Sequence, residues 1–465
     1  MKNNLFNLIT IKKREKNQPL PLWRRITLYF IFAAMAFFVF VMASSYMAGK
    51  RLEWEIIRIQ KAGEPLTFTN LRPRPVPPAT EDAADYYVDA MWEIQPGELS
   101  EMAKVNAFYR ISLAAQPLNP FPGDLRKTVT QNLSKTQALL AKLDKGAGLE
   151  LTGFDIGILH GRKVCKNRLD SIQAAFFLLS LRTLDAISTS NSEKAVQSIE
   201  STLKLMRLFD SQPTMLVLVS KLTCVRLACS DVLLLLMRCR LSDQQLARIQ
   251  TILDKLLPDS TLEKTLLAER AYQLEIARYL FSRGFASKYL LAEEPNLPER
   301  LQSSRFMWYR MRLRSGSVKY LKDMAWYIEA SGRPWPVPLD KITDANSSSS
   351  GKSSRLAAAL VPLSRLTAET LAAAKCTTTA IAIERYRLQK GNLPDLLDDI
   401  SPQYIEAVPL DPFTGKPLLY IRDGDLYTVY SAGFNRIDDS GSITPKKQNA
   451  VILDSGIRVK KTASK

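Results

Sequence analysis

The chain has 465 residues, 64 Lys and Arg against 46 Asp and Glu, one histidine and a net charge of +18. That length supports a large core and more than one domain. A single histidine excludes multi-histidine metal sites and leaves any Ser-His-Asp or Cys-His chemistry dependent on His160. The cysteines (Cys165, Cys224, Cys229, Cys239 and Cys376) are odd in number and scattered through apolar segments, which argues against a disulfide framework or zinc site. They read as small buried hydrophobes.

Residues 1–25 are basic, and residues 26–47, ITLYFIFAAMAFFVFVMASSYM, carry no charge. A helix crossing a bilayer core of roughly 30 Å needs about 20 apolar residues, and only a helix or closed barrel satisfies its backbone there. Residues 26–47 are therefore expected to span a lipid bilayer. A cleaved signal peptide is the alternative, with Ala43-Ser44-Ser45 as the cut site, but the apolar run and its basic preface are long for one. Lys12, Lys13, Arg14, Lys16, Arg24 and Arg25 precede the span; Lys50, Arg51, Arg58 and Lys61 follow it. That bias favours a cytoplasmic N-terminus in a bacterial inner membrane, with the bulk of the chain extracytoplasmic. Trp23 and Trp54 suit the two interfaces. Leu52, Ile56 and Ile59 continue the helix until Gly63 and Pro65 stop it, and the prolines of 64–80 make a stiff linker. The positive charge points to anionic lipid or envelope polymers, and nucleic acid is not expected outside the membrane.

Residues 81–345 read as a helical domain. The spacing predicts helices over 81–94, 124–143, 168–188, 192–209, 215–240, 243–257 and 262–283, with start signals at Ser242 and Ser260. Short connections such as Ser211-Gln212-Pro213 imply antiparallel pairs. The segment 214–237 is apolar, yet Lys221, Arg226 and Asp231 make it a core helix rather than a second span. Their side chains point about 140° apart, so at least one is expected to be buried and paired, with Glu269 or Glu275 as candidate partners. His160, in Gly157-Ile-Leu-His-Gly161, reads as a polar loop residue. The run Arg305–Arg314, RFMWYRMRLR, mixes arginine with aromatics and suits a headgroup zone, a nucleic-acid stack or a solvated cover on the core.

A Ser-rich linker, 346–354, precedes a C-terminal α+β module, 355–465. A helix is expected from Ser364 to Gln389, broken upstream by Pro362 and ended by Lys390-Gly391. Strands follow at 417–422 and 425–430, joined by Asp423-Gly424, with a last strand at 450–453. The helix ending Ile383-Glu384-x-Tyr386, Lys390-Gly391-x-x-Pro394, Val408-Pro409-x-Asp411-Pro412-Phe413 and Tyr427-x-x-Tyr430-Ser431-x-Gly433 resemble the globular part of type II secretion major pseudopilins. The prepilin-peptidase site of that family is missing, and some 300 residues separate the module from the span. The resemblance implies calcium in the acidic loop at Asn435, Asp438 and Asp439, whose oxygens suit a hard cation. The whole chain resembles a planctomycete-type family of bacterial single-pass membrane proteins, which implies architecture without mechanism.

The expectation is a mainly α protein: a transmembrane helix, an extracytoplasmic helical-hairpin domain and a small α+β module. Its function is expected to be a non-enzymatic interaction or assembly role at the cell envelope, through protein partners. A type II secretion or pilus-like component and an envelope hydrolase with an acidic pair are the alternatives.

Overall fold

The uncharged run lies within one helix, α1 (Leu22–Lys61), of 40 residues and about 60 Å. From Trp23 to Met47 its large side chains stand in the open, with Phe30 77% and Phe37 63% exposed. The structure, a computed structural model, describes residues 22–71, 81–94, 103–107, 123–160, 162–283, 307–347, 354–443 and 455–460.

Helices follow as α2 (Ala83–Glu93), α3 (Gly123–Lys135), α4 (Gln137–Gly148), α5 (Arg162–Ser188) and α6 (Ser192–Leu205). After a 3-10 turn, Met206–Ser211, come α7 (Met215–Arg238), α8 (Asp243–Leu256), α9 (Thr261–Arg283), α10 (Met307–Ser331), α11 (Val337–Ser347) and α12 (Ser354–Lys390). The described residues are mainly helical. The helix expected over 124–143 is divided at Thr136, whose amide and hydroxyl both bond back to the Asn132 carbonyl at 3.2 and 3.0 Å. Ser242 begins α8 with the reciprocal capping box that its sequence predicts.

Two expectations about the last region are corrected. Pro362 does not break the helix, because α12 starts at Ser354 and carries Pro362 inside it. A proline there costs about 3 kcal/mol, and the burial of Leu356, Leu360 and Leu363 around it outweighs that cost. The hairpin of β1 (Leu419–Asp423) and β2 (Leu426–Ser431) forms, but its loop is Gly424-Asp425, one residue later than the dipeptide suggests. Gly424 has φ +58, the backbone that a tight hairpin turn reserves for glycine. A third antiparallel strand, β3 (Ser455–Lys460), pairs with β2 in the order β1-β2-β3. Residues 450–453, expected as the last strand, lie outside the described residues.

Most of the buried apolar side chains form one large cluster running from Ala83 to Val459, and a second, smaller one joins Leu52 and Ile59 of α1 to Leu274 of α9 and Val318 and Leu321 of α10. α12 is the spine of the large cluster: it packs on α7, α8 and α11, and on β2 and β3. The helical region and the C-terminal module therefore share a core across the Ser-rich segment. The Tyr427 hydroxyl of β2 donates to the Ala380 carbonyl of α12 at 3.3 Å. Tyr386 meets Tyr404 edge to face, with ring centroids 5.8 Å apart.

Candidate functional site

Lys221, Arg226 and Asp231 on α7 diverge as their spacing requires, and each meets a different element. Lys221 is buried and lies 2.6 Å from Asp210 of the 3-10 turn. Arg226 reaches Glu369 on α12 at 3.2 Å, and Arg365 holds the same carboxylate at 3.0 Å. The buried Asp231 accepts a 2.6 Å hydrogen bond from the Ser180 hydroxyl of α5. Neither cation pairs with Glu269 or Glu275, which corrects the expected partners. The carboxylate of Glu269 instead accepts the Met215 amide at 3.1 Å, where the first turn of α7 presents unpaired N–H groups. Burial raises the Glu269 pKa, against the lowering effect of bonds from Gln273 and Met215. These four residues tie α7 to its neighbours.

The only histidine stands 62% exposed, its Nδ1 3.4 Å from Asp155. Asp155 also accepts the Gly157 amide at 2.7 Å and Gln212 at 3.2 Å, and pairs with Arg168 at 3.2 Å. Burial raises its pKa, but the Gly157 amide, Arg168 and Gln212 together bring it below the usual carboxylate value. The group anchors a turn before α5 and places no hydroxyl or thiol nucleophile on the imidazole.

Asn435, Asp438 and Asp439 share one loop after β2. Asp438 accepts from the Tyr430 hydroxyl and the Ser440 amide, both at 2.9 Å, and Asn435 donates to Asp439 at 2.7 Å. Arg436 between them pairs with Asp340 of α11. Among the described residues, no group of three or more His, Cys, Asp or Glu side chains is gathered as for a metal.

A constellation that sequence reasoning missed lies between α8, α12 and the segment 402–409, which enclose a cleft of about 650 Å³. Asp254, Asp259, Lys375, Thr378 and Glu406 line it. Lys375 pairs with Asp259 at 2.9 Å and donates to the Leu410 carbonyl at 3.2 Å. Gln250 clamps the inner end, donating to the Tyr404 carbonyl at 2.8 Å and accepting from Arg385 at 3.1 Å. Asp254 and Glu406 thus present carboxylates from different walls, beside an ion pair that neutralises itself. Such a groove can take up hydrogen-bonding or cationic groups. Its parts lie up to 159 positions apart in sequence, between Gln250 and Pro409, so no local spacing announces it.

The motif around Asp411 does leave a local signal. This buried carboxylate accepts from the Phe413 amide at 2.9 Å, the Thr414 hydroxyl at 3.1 Å, the Ser431 hydroxyl at 2.7 Å and the Ala432 amide at 3.1 Å. It staples the 411–416 turn to the end of β2. No protein-family model, no curated protein and no solved structure matches this chain.

Proposed function

We propose that this protein is anchored in a bacterial inner membrane by α1 and acts in the cell envelope through contacts with other proteins. The observation that carries the reading is the exposure of the uncharged half of α1, while the other half is held against the body of the protein. An apolar surface of that extent is unstable in water and stable in lipid. The basic flank before Ile26 supports a cytoplasmic N-terminus and an extracytoplasmic C-terminal bulk. The hairpin and long helix of the C-terminal region are compatible with an assembly role of the pseudopilin kind.

Alkaline phosphatase fused at Lys465 should be active in cells, and the chain should resist alkaline carbonate extraction. An inactive fusion overturns the orientation, and release by carbonate overturns the anchor. A second reading, an envelope hydrolase with paired acids, is favoured by Asp254 and Glu406 in the cleft. The two readings part on one variant. Asp254→Asn with Glu406→Gln should restore a deletion strain fully if contact is the function, whereas failure at normal protein level favours the hydrolase.

A further inference from the structure

Arg314 of α10 donates from Nη1 to the Ser45 carbonyl of α1 at 3.2 Å. It also lies over Gly49, where an added Cβ would come within 3.2 Å of that nitrogen. Eight residues on, Lys322 stands 3.7 Å from Glu55. Residue numbers rise together along both helices, so α10 runs parallel to α1. The first turns of α10 precede Arg314 by about 10 Å and so lie level with the last turns of the apolar span. The burial of α1 agrees. Val41, Ser45, Ala48 and Leu52 are covered while Phe40, Met42 and Met47 are open, so one face of α1 is covered as far down as Val41.

The sequence at that level, Met307-Trp-Tyr-Arg-Met-Arg-Leu-Arg314, is too charged for hydrocarbon. It has the mixture of arginine and aromatic residues that partitions to a headgroup layer. Over residues 50–58 of α1 and 312–322 of α10, basic residues outnumber acidic ones seven to two. A cavity of about 310 Å³ opens there, with Leu52, Ile56 and Ile57 on its apolar side, and with Arg314 and Glu53, the latter paired with Lys50 at 2.9 Å, on its polar side. Apolar walls beside a guanidinium match the two halves of a phospholipid.

We propose that the first turns of α10 enter the outer headgroup layer beside α1 and that Arg312 and Arg314 bind the phosphate of an anionic phospholipid. This rests on the membrane reading of α1. The full chain is reconstituted in vesicles of phosphatidylcholine with one third phosphatidylglycerol, carrying a fluorophore at Phe38→Cys or Met311→Cys. The native cysteines are all buried and leave the label specific. A nitroxide is placed on the lipid acyl chain, or on the head of either lipid. Acyl nitroxide should quench the Phe38 label; if it does not, the membrane reading itself fails. The Met311 label should be quenched by headgroup nitroxide, and its absence with Phe38 quenched overturns the present inference alone. Phosphatidylglycerol nitroxide should quench Met311 about two- to fivefold more than the choline lipid at equal mole fraction. Equal quenching by both overturns the choice of an anionic lipid. The preference should vanish in Arg312→Gln with Arg314→Gln and persist when both are lysine; its survival in the glutamine pair overturns the two arginines as ligands. Should the glutamine pair not fold by circular dichroism, the lipid comparison on the unsubstituted arginines still decides.

Discussion

Among the described residues, two helices are long and apolar enough to cross a bilayer, α1 and the Leu356–Lys390 stretch of α12, and the structure treats them oppositely. In α1 only 6% of the most apolar window is buried; in α12 the share is 56%. Composition explains part of the difference. The apolar run of α1 is rich in phenylalanine and other large side chains, whereas α12 is built from alanine and threonine among scattered leucines. Small residues let neighbouring helices approach closely, and the hydroxyls of Thr367, Thr370, Thr377 and Thr379 bond to carbonyls four residues back. α12 thus buries these hydroxyls without needing water, and α7, α8, α11 and the sheet pack around it. α1 carries large side chains around most of its first half, and they stand exposed. Hydropathy alone does not separate these two helices; the size of their side chains and the faces they occupy do.

The contrast breaks most readily by substitution. Leu371→Ala in α12 empties a fully buried site and should lower unfolding free energy by about 2–5 kcal/mol. Phe37→Ala in α1 should leave the melting temperature in detergent nearly unchanged. An equal loss at both sites, read by thermal denaturation, would mean that the exposed half of α1 is packed after all.

Asp411→Ala should cost about 2–3 kcal/mol, because it strips a buried carboxylate from four donors and leaves the Ser431 hydroxyl without its acceptor. Since the sheet packs on α12, the whole core should unfold in one transition. A separate, earlier transition of the C-terminal region would show that the Ser-rich segment divides the core. Tyr386→Ala removes the edge-to-face contact with Tyr404 and a half-buried ring, for about 1–2 kcal/mol. A neutral result in a denaturant titration would exclude that contact as a tie between α12 and the 402–409 segment.

The smallest effect concerns pH. Folding raises the pKa of Glu269 above its ordinary 4.5, so the folded state holds this proton more tightly than the unfolded chain. Its contribution to stability is therefore complete below that value and is lost as pH rises through the folded pKa. Glu269→Gln keeps an acceptor for the Met215 amide and should flatten the part of the stability profile that lies above the ordinary carboxylate value. Asp155 works in the opposite sense. Its lowered pKa adds stability above the ordinary 3.8 and withdraws it as pH falls through the folded value. An unchanged profile in the Glu269 variant would remove that residue from the balance.

Local features were legible before any coordinates. The Ser242 cap, the Gly391 stop at φ +81 and the hairpin at Gly424 each depend on a few neighbouring residues whose backbone preferences are strong. The uncharged length of the N-terminal run was equally plain. What failed was non-local or marginal. Pro362 is a breaker in isolation but sits in a helix whose buried face stabilises it, and Thr136 ends a turn that periodicity alone would continue.

The sequence by itself determined the mainly helical class, the hairpin and the apolar first helix, because periodicity, turn chemistry and hydropathy act over a turn or two of chain. Tertiary structure alone decided that Lys221 meets Asp210 and that Asp254, Lys375 and Glu406 line one cleft. It alone laid α10 along α1 and made α12 a shared spine. Those outcomes depend on which faces meet across long stretches of chain, and many alternative pairings satisfy the same local pattern until packing selects one.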